Sequence, residues 1–387
     1  SGETIAQLRN QLRYMHLQIV STLTNSYEKT LLTQSSFDMR SIFGNTDKML
    51  LDHLADECDK TCCMCVNFIY VLIPFCCCCC CCNTNRNPTY LFNAYFPLEL
   101  SKNVRDETGE IIKNSKKSIK DEWRKKMLYG VLFINGHIIT ITQPKKVPVH
   151  HEDVIFLVHI VRYSESFKQS EAWFPVCLPH FEPTGFVYAY VSYLFNESDI
   201  CLVLLTLDNG SFHNCQQLRH RIEIGLKQSN LIESLRAAVQ SHPLKCQELI
   251  TSSLKISHPP VFQFYYHNTR KHQYICPVPF QLFNSEPGRI KLFRRLEHIY
   301  DRLHSNPDHT VLFFFFFFLS SAHIIAFMHF EKSSEDTIVA KLVPNEFELV
   351  IIMNSFTSKK DAANLISKLV TYISQRSGYF FLNPVHW

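Results

Sequence analysis

The sequence predicts an α+β protein in which two units of like topology, each an antiparallel sheet flanked by helices, stand in tandem. Three observations carry that expectation. A two-residue hairpin signal sits at Asn135-Gly136, strand-like and helical runs surround it in the order ββα, βββ, αα, and the same order returns beyond residue 258.

Taken in order, the elements are as follows. Helical apolar spacing opens the chain in AQLRNQLRYMHLQIVSTL (6–23), and a second helical pattern follows Phe37, neither with a sheet of its own. In YGVLFINGHIITIT (129–142), Asn135 and Gly136 both tolerate the positive φ of a type I′ turn and lie between alternating apolar runs, so the segment is a hairpin. HHEDVIFLVHIVRY (150–163) is helical, with acids in its first turn where they complement the helix dipole. AWFPVCL (172–178), GFVYAYVSYL (185–194) and DICLVLLTL (199–207) read as strands, the last two joined by a turn at Asn196-Glu197-Ser198. Helical patterns around 211–227 and 230–240 close the unit. VFQFYY and HQYICPV, on either side of a turn from His267 to Lys271, open the second one. An amphipathic helix at 288–304, strands IIAFMHF, TIVAKLV and FELVIIM, and a helix at 358–375 complete it. The recurrence makes an internal repeat the main organisational inference.

A chain of 387 residues has room for more than one domain of ordinary size. Its formal charge of +4, from 39 basic and 35 acidic residues, is too balanced for a protein devoted to nucleic acid. Only 10 glycines occur and neither G-x-G-x-x-G nor G-x-x-x-x-G-K-[ST] is present, which disfavours nucleotide hydrolysis. The N-terminus has no basic patch followed by an apolar stretch, so it reads as an internal start rather than a secretory signal. Of 16 cysteines, ten fall between Thr61 and Arg86, and the other six are scattered through apolar contexts without C-x-x-C spacing, the pattern of reduced cytosolic thiols.

EAWFPVCLPHFEPTGFVYAYVSYL (171–194) is the most specific stretch. Its Trp173, Pro175, Cys177, Leu178, Pro179, Phe181, Gly185, Phe186, Ser192 and Tyr193 resemble the signature of the Mon-one family of trafficking proteins, with Tyr190 where a His is usual. SSFDMRSIFGNTD (35–47), which holds Asp38 and Arg40, FELVIIMNSFTSKKDAANLISKL (347–369), HQYICP (272–277) and the terminal FFLNPVHW resemble other family segments. The resemblance implies tandem longin domains. Residues 1–60 are then the closing helices of a truncated first longin domain, 87–126 a helical connector, 127–245 the second longin domain and 258–387 the third. It also implies a non-hydrolytic role. The family pairs with a Ccz-one-type triple-longin protein, and the pair is the guanine-nucleotide exchange factor for a Rab-seven-type GTPase in endosome maturation, vacuole or lysosome fusion and autophagy. The implied location is cytoplasmic, with peripheral recruitment to late-endosomal and vacuolar membranes. A non-catalytic longin adaptor is the alternative, and an integral membrane protein the next.

Two segments interrupt the resemblance: 61–86, with seven consecutive cysteines from Cys76 to Cys82, and 311–327, with a run of phenylalanines. Both are read as spurious insertions, translated introns or gene-model errors. The cysteine run makes a poor zinc site because adjacent residues of an extended chain point to opposite sides. As a membrane span, Thr61 to Cys82 is long enough for a core of about 30 Å but only marginally apolar.

No catalytic, cofactor-binding or metal-binding residue is assigned. His150-His151-Glu152-Asp153 reads as helix-cap and dipole chemistry rather than a ligand set. Lys116, Lys117, Arg124, Lys125 and Lys126, with Lys120, form a basic stretch that could face anionic lipid, against the plainer reading of a solvated helix face. Trp173 and Phe181 fit either a partner contact or sheet packing. Cys177 has no neighbouring His or helix N-terminus in sequence that would make it a catalytic thiol.

Overall fold

The computed structural model describes residues 88–387 apart from 164–165, 196–198, 241–243, 256–259 and 306–326, together with Arg13, His16, Leu17, Val20, Ser21 and Thr24. The insertion expected at 61–86, with the membrane-span candidate inside it, residues 311–326 of the second insertion, Asp38 and Arg40, and the turn 196–198 therefore lie outside the described residues. Phe327, the last residue assigned to the second insertion, is instead the first residue of a strand. Among the described residues no helix is long and apolar enough to cross a membrane.

The chain folds into two compact units. Unit I comprises residues 98–238 and 382–387 with the described N-terminal residues. It begins with helices α1 (Lys102–Lys117) and α2 (Asp121–Lys126), then strands β1 (Met127–Ile134) and β2 (His137–Gln143). Asn135 (φ 49°) and Gly136 (φ 84°) take the positive φ that a two-residue turn between them requires, and Ile134 pairs with His137 across it. Helix α3 (His151–Tyr163), strands β3 (Ala172–Val176), β4 (Val187–Tyr193) and β5 (Ile200–Thr206), and helices α4 (Phe212–Gln228) and α5 (Leu231–Gln240) follow. β1 and β5 are buried along their whole length, as central strands covered on both faces must be. Pro175 lies on β3, an edge of the sheet, where its missing N–H breaks no inner ladder.

Unit II comprises residues 88–97 and 239–381. Its strands are β6 (Val261–Asn268) and β7 (Gln273–Ile275), then, after helix α6 (Glu286–Ser305), β8 (Phe327–Lys332), β9 (Asp336–Val343) and β10 (Phe347–Asn354), with helix α7 (Lys359–Gln375) last. The period-2 alternation of a strand splits β10 between two cores. Leu349, Ile351 and Met353 pack with Leu365, Ile366 and Leu369 of α7, while Val350 and Ile352 join Leu292, Leu296 and Ile299 of α6. The sheet is thus covered on both faces. Its strand order, β7-β6-β10-β9-β8, repeats the β2-β1-β5-β4-β3 of unit I, so the recurrence read in the sequence is a recurrence of topology.

Two segments depart from the expected division. Residues 88–97, expected in a connector, include the helical turn Pro88–Phe92 whose Leu91 and Phe92 complete the α6-side core of unit II. The chain end, expected to belong wholly to the third domain, adds strand β11 (Val385–His386) in parallel to β2 of unit I, making that sheet six-stranded. Helix α1 lies over this junction. Arg105 donates to the carbonyls of Leu98 (2.6 Å) and Ile139 (2.9 Å), and Gly109 comes so close that a Cβ there would lie 2.5 Å from Val385.

Candidate functional site

A cluster of histidine and carboxylate side chains in unit I forms where the β3–β4 connection meets the start of α3. The His150 carbonyl accepts the Val154 N–H, and its ring Nδ1 accepts the Glu152 N–H at 3.4 Å, so the cap chemistry read in the sequence is present. Glu152 and Asp153, in the first turn, are both 2% exposed. Ionised carboxylates at that depth need partners.

They find one in His180, brought over by the tight turn that follows β3. Phe181 and Glu182 both donate their N–H groups to the Leu178 carbonyl, which folds His180 back toward the helix. Its Nδ1 lies 3.0 Å from Asp153 Oδ1 and its Nε2 3.0 Å from Glu152 Oε2. The His150 ring stacks on it, centroids 3.8 Å apart at 14°. Arg13, from the N-terminal helix, contacts the second oxygen of Glu152. The same helix accepts the Cys177 N–H at the Ser21 carbonyl, 2.8 Å away.

The electrostatics follow from this geometry. Hydrogen bonds to Asp153 and Glu152 outweigh burial and raise the His180 imidazole to about 9. His150 moves down, first through burial and then through the neighbouring His180 cation. Burial, with Asp153 and Glu182 nearby, pushes the Cys177 thiol up to about 12, and burial with Asp153 does the same for Tyr129. Cys177 therefore stays a thiol that donates toward the Glu182 carbonyl (3.4 Å), which denies it the thiolate a nucleophile needs. His180 already holds its proton and is a donor, not a base. What this arrangement does well is clamp: it ties α3, the β3–β4 turn and the N-terminal helix together.

Residues 125–223, from the end of α2 into α4, match the family model described as the second longin domain of FUZ, MON1 and HPS1. "Protein SAND" of Takifugu rubripes is 26% identical over 381 residues, 98% of this chain and 62% of its own length. "Vacuolar fusion protein MON1" of Yarrowia lipolytica is 26% identical over 384 residues, covering 98% of this chain and 60% of that protein. "Vacuolar fusion protein MON1 homolog A" of Homo sapiens is 21% identical over 385 residues, 99% and 50% of the two chains. Residues 125–223 carry the longin match, and over nearly its whole length the chain is similar to MON1 and SAND proteins. It spans between half and about three-fifths of the length of these relatives. Its two sheet units are tandem longin-type domains.

The MON1-type signature residues are not gathered into one pocket. Cys177 is buried, and Pro179, Phe181 and Gly185 shape the turn that carries His180, with Phe181 edge-on to Tyr129 at 6.0 Å. Trp173 is half-buried on the edge strand, stacked on Tyr188 at 5.7 Å and edge-on to Phe212. Tyr190, within the same stretch, is fully buried. The basic stretch also divides. Lys116 is not membrane-facing: it is 5% exposed, donates to the Met127 carbonyl at 3.1 Å and sits 3.8 Å from the Trp387 ring centroid. Burial, then the Arg124 charge, brings its ammonium down to about 7. Lys117 and Lys125 are exposed, Arg124 pairs with Asp121, and Lys126 reaches Asp208 at 3.3 Å. Sequence reading missed His180 and Arg13. The available signal was an acidic pair at a helix start with no Lys or Arg within a turn of it.

Proposed function

We propose that this chain is part of a subunit of a guanine-nucleotide exchange factor that acts with a Ccz-one-type triple-longin partner on a Rab-seven-type GTPase in vacuolar and late-endosomal trafficking. The carrying observation is the similarity over nearly the whole chain to proteins named for vacuolar fusion, 98% of it in the Yarrowia lipolytica relative and 99% in the human one. The chemistry of the described residues suits such a role. An exchanger works by binding the nucleotide-free GTPase more tightly, which by linkage weakens nucleotide affinity by the same factor, and this requires surfaces rather than a general base. The perturbed groups at the start of α3 hold elements together and leave no activated nucleophile among them.

The chain spans only part of its relatives' length, so the test uses the whole protein. Release of a fluorescent guanine nucleotide from a Rab-seven-type GTPase should accelerate when the full-length protein and its Ccz-one-type partner are added together. Neither should suffice alone. The present chain should still co-purify with the partner. No acceleration by the full pair would refute the exchange reading, and the adaptor reading would replace it if co-purification persisted.

A further inference from the structure

We propose that His150, Glu152 and His180 form a binding site for a divalent cation of the zinc class at the start of α3. One donor atom from each residue lies within 4.8 Å of the others. His180 Nε2 and Glu152 Oε2, 3.0 Å apart, already approach the spacing of neighbouring ligands around a tetrahedral ion whose bonds are about 2.0–2.1 Å long. Closing the site requires the half-buried His150 ring to turn out of its stack on His180, so that its in-plane lone pair converges on the ion with that of His180, a change of side-chain rotamer at the helix cap.

A second, independent feature is the support behind the donors. Asp153 Oδ1 holds His180 Nδ1 at 3.0 Å, the carboxylate–histidine arrangement that orients a metal-binding imidazole and makes its other nitrogen a better ligand. The other oxygen of Asp153 is buried with no hydrogen-bond partner and keeps a negative potential on the cluster. Two imidazoles with one carboxylate select zinc and its first-row neighbours over calcium or magnesium, which prefer all-oxygen shells. The His180 side chain is 27% exposed, which provides an entry path. On binding, the cation takes the place of the proton on His180 Nε2, 3.0 Å from Glu152 Oε2, and that proton passes to solvent. Arg13 stays on the other Glu152 oxygen. The ion would then link α3 to the β3–β4 turn by bonds rather than by a hydrogen-bonded clasp.

The chain's 16 cysteines make total zinc content uninformative, so the probe is Co²⁺ titrated into the chelator-stripped full chain. A site of two imidazoles and a carboxylate gives visible ligand-field bands without the near-ultraviolet sulfur-to-cobalt charge transfer that thiolates add. One equivalent of such a spectrum, displaced by Zn²⁺, is expected. His150→Gln and His180→Gln should each abolish it, and Asp153→Asn, which keeps all three donors, should weaken binding about 10–100-fold. Should the variants fail to fold, the wild-type chain alone decides: Zn²⁺ should protect His150, and not His213 or His298, from diethyl pyrocarbonate. A purely thiolate-type cobalt spectrum, a spectrum unchanged in both histidine variants, or labelling of His150 that Zn²⁺ leaves untouched would overturn the proposal.

Discussion

Glu348 is a charged residue whose place in a strand is explained only by its folded neighbours. In the run FELVIIM it is the one ionisable side chain of a central strand, and a carboxylate there is anomalous by pattern. The structure places it between His267 Nδ1 and His304 Nε2, each 3.2 Å away, with the first on β6 and the second near the end of α6. Burial alone would raise its carboxyl, but the two imidazoles prevail and bring it from 4.5 down to about 2. A depressed folded-state value means that this group stabilises the fold at pH above its unfolded value, and the contribution is lost as pH falls from about 4.5 toward 2. Glu348→Gln should therefore lower stability near neutral pH by about 1–3 kcal/mol, the cost of leaving buried polar partners unsatisfied. It should also flatten the pH dependence of the urea midpoint between those two values. Parallel acid limbs in the variant and the wild type would show that the carboxylate is not held as the geometry requires. Sequence spacing could not supply the partners, since His267 and His304 meet Glu348 only once the sheet and its covering helix have formed.

At the scale of elements, the tail strand is the feature most open to test. The elements themselves were legible because each has a local cause: positive φ at Asn135-Gly136, period-2 alternation in β9 and β10, helical periodicity in α6 and α7. The exchange of segments was not, because a two-residue parallel strand such as β11 carries no pattern, and its site on the β2 edge is set by what α1 leaves room for. Gly109 leaves that room: an added Cβ would meet Val385 Cγ2 at 2.5 Å and Thr140 Oγ1 at 3.0 Å. Two effects then compete in Gly109→Ala. Helix propensity favours Ala by up to about 1 kcal/mol, while overpacking costs about 1–3 kcal/mol. At 2.5 Å the clash is with a β-branched side chain and not with the end of a flexible one, so destabilisation should prevail. Combining the change with Val385→Ala removes the nearest atom and should recover most of the loss. Independent, additive losses in a double-mutant cycle of thermal denaturation would mean that α1 and the tail do not press on one another.

For the molecule as a whole, the repeat was readable because two stretches of sequence pass through one order of elements, and both sheets then adopt the same strand sequence from edge to edge. The candidate lipid contact was readable only in part. A row of lysines in sequence does not say which of them reach water, and Lys116 turns inward onto the Trp387 ring while Lys117 and Lys125 stay exposed. That division makes the proposed peripheral contact with anionic membrane testable on this chain. A lysine near such a surface contributes about 1 kcal/mol, roughly fivefold in affinity, and the attraction decays over a Debye length of about 8 Å at physiological salt. Lys117→Glu combined with Lys125→Glu should then weaken co-sedimentation with phosphatidylserine-containing vesicles by at least about twentyfold, and raised salt should abolish the difference. Lys116→Gln removes a single lysine from a buried position. It should leave vesicle binding unchanged while shifting the thermal midpoint, because a buried donor to the Met127 carbonyl has been replaced. A loss of vesicle binding from Lys116→Gln as large as that from the outward pair would mean that this exposed face of unit I has no special part in binding.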